Sequence, residues 1–312
     1  MTRIVFMGTP DFAVPTLARL HGDGYEVAAV YTRQDQPAGR GQRLEQSPVK
    51  KFALEQGLHV EQPRSLRPLS AQEILAAFAP DVIVVAAYGL ILPQRVIDLP
   101  PYGCVNVHGS LLPRHRGAAP IAAAILAGDP EAGISIMQVD AGVDTGPVLS
   151  RASIPIAPDD TTGALTEKLA RLGADLLAQT LPDWISGKIA AIPQPEDGAT
   201  YAPRIEKEQG RIDWTEPAAV IERKVRAYQP WPSAFTVWNG QMLKILRSHV
   251  RDGAGEAGEE PGAVVAGGKN AAGVATGAGI LWLDEVQLAG KKPAPIAAFL
   301  AGARGFIGSR LG

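Results

Sequence analysis

Asn106 and His108 stand two residues apart near the end of a short apolar run, Cys104 to Val107, that has the makings of a β-strand. Side chains on a strand alternate between faces, so the carboxamide and the imidazole project the same way. A carboxamide donates hydrogen bonds, and an imidazole exchanges a proton near neutral pH. Such a pair suits attack on a carbonyl group, which needs a donor for the oxyanion and an acceptor for a proton. Polar residues that merely close the end of a sheet would give the same pattern.

A second segment adds a carboxylate. Ile134 to Asp140 reads as another strand, and the loop after it carries Asp144 between Gly142 and Gly146. Glycines let such a loop take backbone angles that other residues resist. Asp144 is thereby a candidate partner for His108, able to orient the ring and favour its protonated form. Asp140 is the rival, and its place at the strand end suits tying down the loop. Either aspartate alone also reads as a turn residue.

The elements that must hold these groups alternate along the first half. Ile4 to Met7, Val27 to Tyr31, Val82 to Ala87 and Cys104 to Val107 are short apolar runs, as expected of strands buried on both faces. Helical stretches intervene at Asp11 to Leu20, Pro48 to Gln56 and Ser70 to Phe78, then at Ala118 to Ala127 and Thr162 to Ile185. The alternation predicts a Rossmann-like, doubly wound and mostly parallel α/β sheet, in which ligands bind beyond the carboxyl ends of the strands. Asn106, His108 and Asp144 all fall at or just past strand ends. Gly8-Thr-Pro-Asp11 lacks the GxGxxG spacing, and there is no GxxxxGK[ST], so no nicotinamide cofactor is expected.

Around Ile192 to Glu208 prolines and charges interrupt the pattern, as a linker would. Short strand-like runs follow, at Phe235 to Trp238, Met242 to Ser248, Ala263 to Ala266, Gly273 to Thr276 and Ile280 to Val286, and their regular spacing predicts a small β-barrel. The expected division is a catalytic domain over 1–191, a linker over 192–207 and a second domain over 208–312.

Composition narrows the classes. The chain has 312 residues, 30 Lys and Arg against 32 Asp and Glu, and one cysteine. Near-neutral charge argues against a general nucleic-acid coat but leaves room for a local basic face. A lone Cys104 cannot form an internal disulfide, in keeping with a reducing cytosol, and it reads as a small buried hydrophobe. The first strand starts at about Arg3, which leaves no room for a leader, and no apolar run is long enough to span a bilayer. His21, His59, His115 and His249 show no metal-ligand spacing, so no metal is expected.

Asn106-x-His108, the run Ser110-Leu-Leu-Pro-Arg-His-Arg-Gly117, and Asp144 before Thr145-Gly146 resemble the formyltransferases that use 10-formyltetrahydrofolate. The opening Arg3-Ile-Val-Phe-Met-Gly-Thr-Pro-Asp-Phe-Ala13 fits the same family. Gln36-Pro-Ala-Gly-Arg-Gly-Gln-Arg43, Ser47-Pro-Val-Lys50 and the C-terminal region narrow the resemblance to the methionyl-tRNA formyltransferase family, over essentially the whole chain.

That resemblance implies transfer of a formyl group from 10-formyltetrahydrofolate, as co-substrate, to the α-amino group of methionine on initiator tRNA. Asn106, His108 and Asp144 would be catalytic. Ser110, Leu111, Leu112 and Pro113 would bind tetrahydrofolate, and Leu90, Ile91 and Leu92 would form an opposite wall or simply pack. Arg33, Arg40 and Arg43, on a glycine-containing basic loop, would reach the tRNA, although a solvated loop has the same composition. The second domain would be OB-like and tRNA-binding, with Lys244 and Arg247 as candidate contacts, each also readable as a solvated charge. A monomer in the bacterial cytoplasm completes the expectation.

Overall fold

A computed structural model of the chain describes residues 1–38, 43–251 and 259–312. The chain divides into two compact units. One comprises Met1–Pro120, Glu131–Pro155 and Thr166–Ala202, and the other comprises Ile121–Pro130, Ile156–Leu165 and Pro203–Gly312.

In chain order the elements up to residue 202 are β1 (Arg3–Gly8), α1 (Val14–Gly22), β2 (Glu26–Tyr31), β3 (Gln36–Ala38), β4 (Arg43–Glu45), α2 (Pro48–Glu55), β5 (Val60–Glu61), α3 (Leu69–Ala77), β6 (Val82–Ala86), α4 (Gln94–Ile97), β7 (Cys104–His108), β8 (Arg116–Gly117), α5 (Pro120–Ala127), β9 (Glu131–Gln138), β10 (Val148–Pro155), α6 (Thr162–Ile185) and β11 (Tyr201–Ala202). Seven strands form one sheet in the order β10-β9-β7-β6-β1-β2-β5. The five strands from β7 to β5 run parallel, while β9 and β10 are antiparallel additions at one edge. The sheet is therefore mostly parallel, as its buried apolar strands predict.

On one face Val5, Met7, Ala29, Tyr31, Ile83, Val85 and Cys104 pack with Leu66, Leu75 and Tyr88. On the other, α6 lies so close that a Cβ on Gly173 would come within 2.7 Å of Val107 Cγ1. Helix α2 starts where the sequence provides for it, with the Ser47 hydroxyl accepting from Lys50 N at 3.1 Å and Pro48 in its first turn. The run around Gln36 to Arg43, read from sequence as a loop, is flanked by a two-stranded antiparallel ladder of β3 with β4.

The second unit continues with α7 (Ala218–Ala227), β12 (Ala234–Trp238), β13 (Gln241–Val250), β14 (Val264–Ala266), β15 (Ala272–Ala275), β16 (Ile280–Leu288), β17 (Ala294–Pro295) and α8 (Ile296–Gly302). Its antiparallel sheet has the order β12-β13-β16-β15-β14, with β17 beside β16. Register shifts around Arg247 bend the long strand β13, which curls the sheet. The last residues close it. Leu311 N donates to Gly262 O at one edge and Gly312 N to Val237 O at the other, so the tail bridges the two outer strands. Inside, Trp238, Phe299 and Phe306 meet edge to face at 5.0–5.7 Å between ring centroids.

Candidate active site

Strand β7 ends on His108, and Asn106 lies on the same face of that strand. Asn106 pairs in register with Val85 of β6 and Met137 of β9, so its backbone is fixed from both sides. Its side chain is half-buried and makes no hydrogen bond to another described residue. The carboxamide keeps both N–H groups available.

His108 is 5% exposed. Its Nε2 lies 3.1 Å from the carbonyl oxygen of His115, which can only accept, so Nε2 carries a hydrogen and donates it. The other nitrogen, Nδ1, lies 3.6 Å from Asp144 Oδ1. Asp144 Oδ2 meanwhile accepts from Gly117 N at 2.8 Å. The carboxylate is thus held by a backbone amide with one oxygen turned toward the ring.

Two residues in this cluster adopt left-handed backbone angles, His115 at φ 58° and Asp144 at φ 52°. Both are positions where a non-glycine residue is uncommon. The first aims its carbonyl at His108, and the second aims its carboxylate there. The flanking glycines do a different job from the one expected of them. Neither Gly142 nor Gly146 has a positive φ; a Cβ at Gly142 would overlap the Thr145 hydroxyl, and one at Gly146 would overlap the Gln138 carbonyl. They permit close packing, and Asp144 itself takes the strained angle. Asp140 fastens the loop, accepting from Gly142 N at 3.0 Å and from the Thr145 hydroxyl at 2.8 Å.

The protonation state of His108 departs from the expectation. Burial pushes the imidazole below its ordinary value, and this outweighs the Asp144 carboxylate and the His115 carbonyl, which act upward, while the His115 ring acts downward. At neutral pH the ring is uncharged, with Nδ1 vacant beside a carboxylate. A proton arriving at Nδ1 meets a waiting counter-charge.

The other predicted residues disperse. The Ser110 hydroxyl donates to Arg114 O at 2.6 Å, and Ser135 Oγ accepts from Leu112 N and donates to Ser110 O. Leu112 is 1% exposed and packs with Met137 and Val148, so it belongs to the core and does not line an open slot. Leu111 lies against Gly133, and Pro113 follows it half-buried. Leu90 and Leu92 pack against the core of the sheet, whereas Ile91 is 73% exposed. A cleft of about 470 Å3 opens nearby in sequence, lined by Tyr102, Gly103, Gln138, Val139, Asp140 and Ala141 among others. Cys104 borders it, but its thiol is buried and pushed up to about 12, which makes it inert at neutral pH.

Arg33 donates to Gly89 O at 3.0 Å, tying the base of the basic loop to the segment after β6. Arg40 lies outside the described residues, and Arg43 opens strand β4. In the second unit Lys244 reaches Ser233 Oγ at 3.3 Å, and Arg247 is exposed on a cleft of about 830 Å3 that also presents Arg223, Arg226, Asp159 and Asp284. That cleft carries both signs of charge. No cluster of three His, Cys, Asp or Glu side chains suited to a metal occurs among the described residues.

Sequence reasoning missed two contributors, both set against the buried pair His115 and Arg116. Thr200 accepts from His115 N at 2.9 Å, and Gln194 donates to the carbonyls of Asp144 and Gly146 at 2.9 and 2.7 Å. Both lie in the stretch that reads as a linker, where nothing in residue spacing marks them.

A family model described as formyl transferase matches residues 2–181, and one described as formyl transferase, C-terminal domain, matches 204–304. A methionyl-tRNA formyltransferase of Myxococcus xanthus is 50% identical over 300 residues, covering 96% of this chain and 95% of the relative. One from Dechloromonas aromatica is 48% identical over 310 residues, covering 99% and 98%. Among solved structures, the sugar 3N-formyl transferase WlaRD superposes with a TM-score of 0.68 at 18% identity, over 94% of this chain and 99% of that one. A methionyl-tRNA formyltransferase from Clostridium thermocellum gives 0.56 at 16% identity, over 81% and 95%, so these two likenesses speak to fold. Matched in both domains and in order along its length, the chain belongs to the formyl transferase family.

Proposed function

We propose that this chain transfers the formyl group of 10-formyltetrahydrofolate to the α-amino group of methionine on initiator Met-tRNA, giving the formylated tRNA used to start translation. The observation that carries the chemistry is the buried imidazole of His108 with Nδ1 3.6 Å from Asp144 and the uncommitted carboxamide of Asn106 on the same strand face. Its relatives of near 50% identity over almost the full length support the acceptor.

The unprotonated amine attacks the formyl carbon, forming a C–N bond and a tetrahedral oxyanion. Asn106 donates a hydrogen bond to that oxygen, an interaction whose loss typically costs about 2.7–4 kcal/mol. His108 takes up the amine proton at Nδ1, directly or through water, and Asp144 stabilises the resulting imidazolium. The same proton then serves the departing donor nitrogen as its bond to the formyl carbon breaks. The formyl donor supplies the one-carbon unit. Ile91, exposed after β6, and the half-buried Leu90 and Leu92 beside it would supply apolar contact to its flat heteroaromatic ring. On the acceptor side, Arg40 and its neighbours Arg33 and Arg43 would meet phosphates, assisted by Lys244 and Arg247.

The test is formylation of initiator Met-tRNA, with elongator Met-tRNA and an amino-sugar nucleotide as competing acceptors. Selective formylation of the initiator is expected. Transfer to the amino sugar alone would preserve the chemistry and refute the acceptor. Arg40→Ala should raise KM for tRNA and lower the salt dependence of binding by about one phosphate contact, leaving kcat unchanged.

A further inference from the structure

We propose that Gln194 is a positioning residue for the transfer, a clamp that holds Asp144 in its left-handed conformation and is itself oriented by the buried Arg116. The inference rests on the functional reading above for its catalytic consequence, and on geometry alone for the clamp.

Three bonds define the Gln194 side chain. Its Nε2 donates one hydrogen to Asp144 O at 2.9 Å and the other to Gly146 O at 2.7 Å. Its Oε1 accepts from Arg116 Nε at 3.1 Å. Every hydrogen-bonding group of the amide but one lone pair is used, so the amide cannot flip without opposing two carbonyls to its own oxygen. The carbonyls it grips flank Thr145, and one belongs to the residue at φ 52°. A non-glycine residue persists at such an angle only when its surroundings over-determine it. Gly117 N secures the Asp144 carboxylate, and Gln194 secures the backbone from which that carboxylate springs.

Arg116 explains why the glutamine is needed. Its guanidinium is 1% exposed, and its other carboxylate contact, Glu196, is 3.5 Å away and 83% exposed. Nη2 is buried without a partner. A buried cation so lightly compensated prefers a fixed dipole beside it, and the Gln194 oxygen provides one. Residues 116 and 117 thus reach Asp144 by two routes, through the amide of Gly117 and through Gln194. The charged and titratable groups facing His108 are Asp144 and His115.

Gln194→Met keeps the volume and neutrality of the side chain and offers no donor. Gln194→Glu keeps a partner for Arg116 and loses both donors toward the carbonyls. If the clamp positions Asp144, the titration of His108, followed by imidazole NMR without substrate, moves to lower pH in Gln194→Met, because the carboxylate that favours the charged ring is no longer held near it. In the transfer assay kcat falls 10- to 100-fold in both variants, KM for the formyl donor stays within about twofold, and the acid limb of the pH profile of Gln194→Met moves down with His108. An unchanged His108 titration in Gln194→Met, or Gln194→Glu with kcat within twofold of the parent, would overturn the clamp. If Gln194→Met does not fold, Gln194→Glu carries the kcat test alone. A parent that does not formylate Met-tRNA sinks the functional reading, and the His108 titration still decides the clamp.

Discussion

Asp144→Asn isolates the charge that meets the proton. Asparagine tolerates the left-handed angle that Asp144 adopts at φ 52°, and its carbonyl oxygen can still accept from Gly117 N. What disappears is the negative charge 3.6 Å from His108 Nδ1. At an effective dielectric constant of about 20, unit charges at that separation attract by roughly 4–5 kcal/mol. A transition state with the proton half transferred realises about half of this, roughly 2 kcal/mol, or about 30-fold in rate; full transfer sets a ceiling on the order of 10³-fold. Single-turnover formylation with labelled Met-tRNA at saturating enzyme reads the chemical step directly, and a circular-dichroism melt checks the fold. A variant that turns over within threefold of the parent would refute the claim that Asp144 stabilises charge on the ring.

Three other outcomes follow from the same geometry. Asn106→Ala should lower kcat by about 10²–10³-fold with little change in either KM, measured in the same assay, because its donor is engaged by the developing oxyanion. His108 is held neutral by burial, so the unfolded chain, with its pKa near 6.5, binds a proton that the folded chain refuses. Stability associated with this residue is therefore complete above about pH 6.5 and is lost as pH falls toward the lower folded value. His108→Gln should flatten the acid side of the melting curve compared between pH 7.5 and 5.5, and an equal acid loss in both proteins would contradict the assignment. Gly146→Ala should destabilise by several kcal/mol in urea unfolding, since its Cβ has no room beside the Gln138 carbonyl.

Much of the scaffold was legible because buried parallel strands write themselves as unbroken apolar runs. Val82 to Ala86 is an example, and the two-residue phase of Asn106 and His108 follows once Cys104 onward is read as a strand. Helix α6 spans Thr162–Ile185, as its sequence pattern indicated. The charge on His108 was not legible, because sequence shows a possible carboxylate neighbour but not the loss of water around the ring, and desolvation decides. Leu112 was misplaced for a related reason: an apolar residue in a loop reads the same whether it faces a ligand or Met137 and Val148. Gln194 was invisible because its bonds are to backbone oxygens 48 and 50 residues away, and such contacts leave no periodicity. Closure of the second sheet by Leu311 and Gly312 was hidden likewise, in two ladder bonds from a segment too short to look like a strand.

The run from Ile192 to Ala202 has a consequence for how the protein fails. It is fastened to the rest of its unit by backbone bonds at Val148 with Ile192, Arg116 with Thr200, and Ala118 and Ala119 with Ala202, and it carries little of the apolar core. Segments of that kind open locally at a fraction of the free energy of global unfolding. Peeling this one away would remove Gln194 and Thr200 while the central strands stay protected from hydrogen exchange. Catalytic competence would then have its own melting transition, below that of the sheet, and an inactive chain would still look folded by most spectroscopic measures.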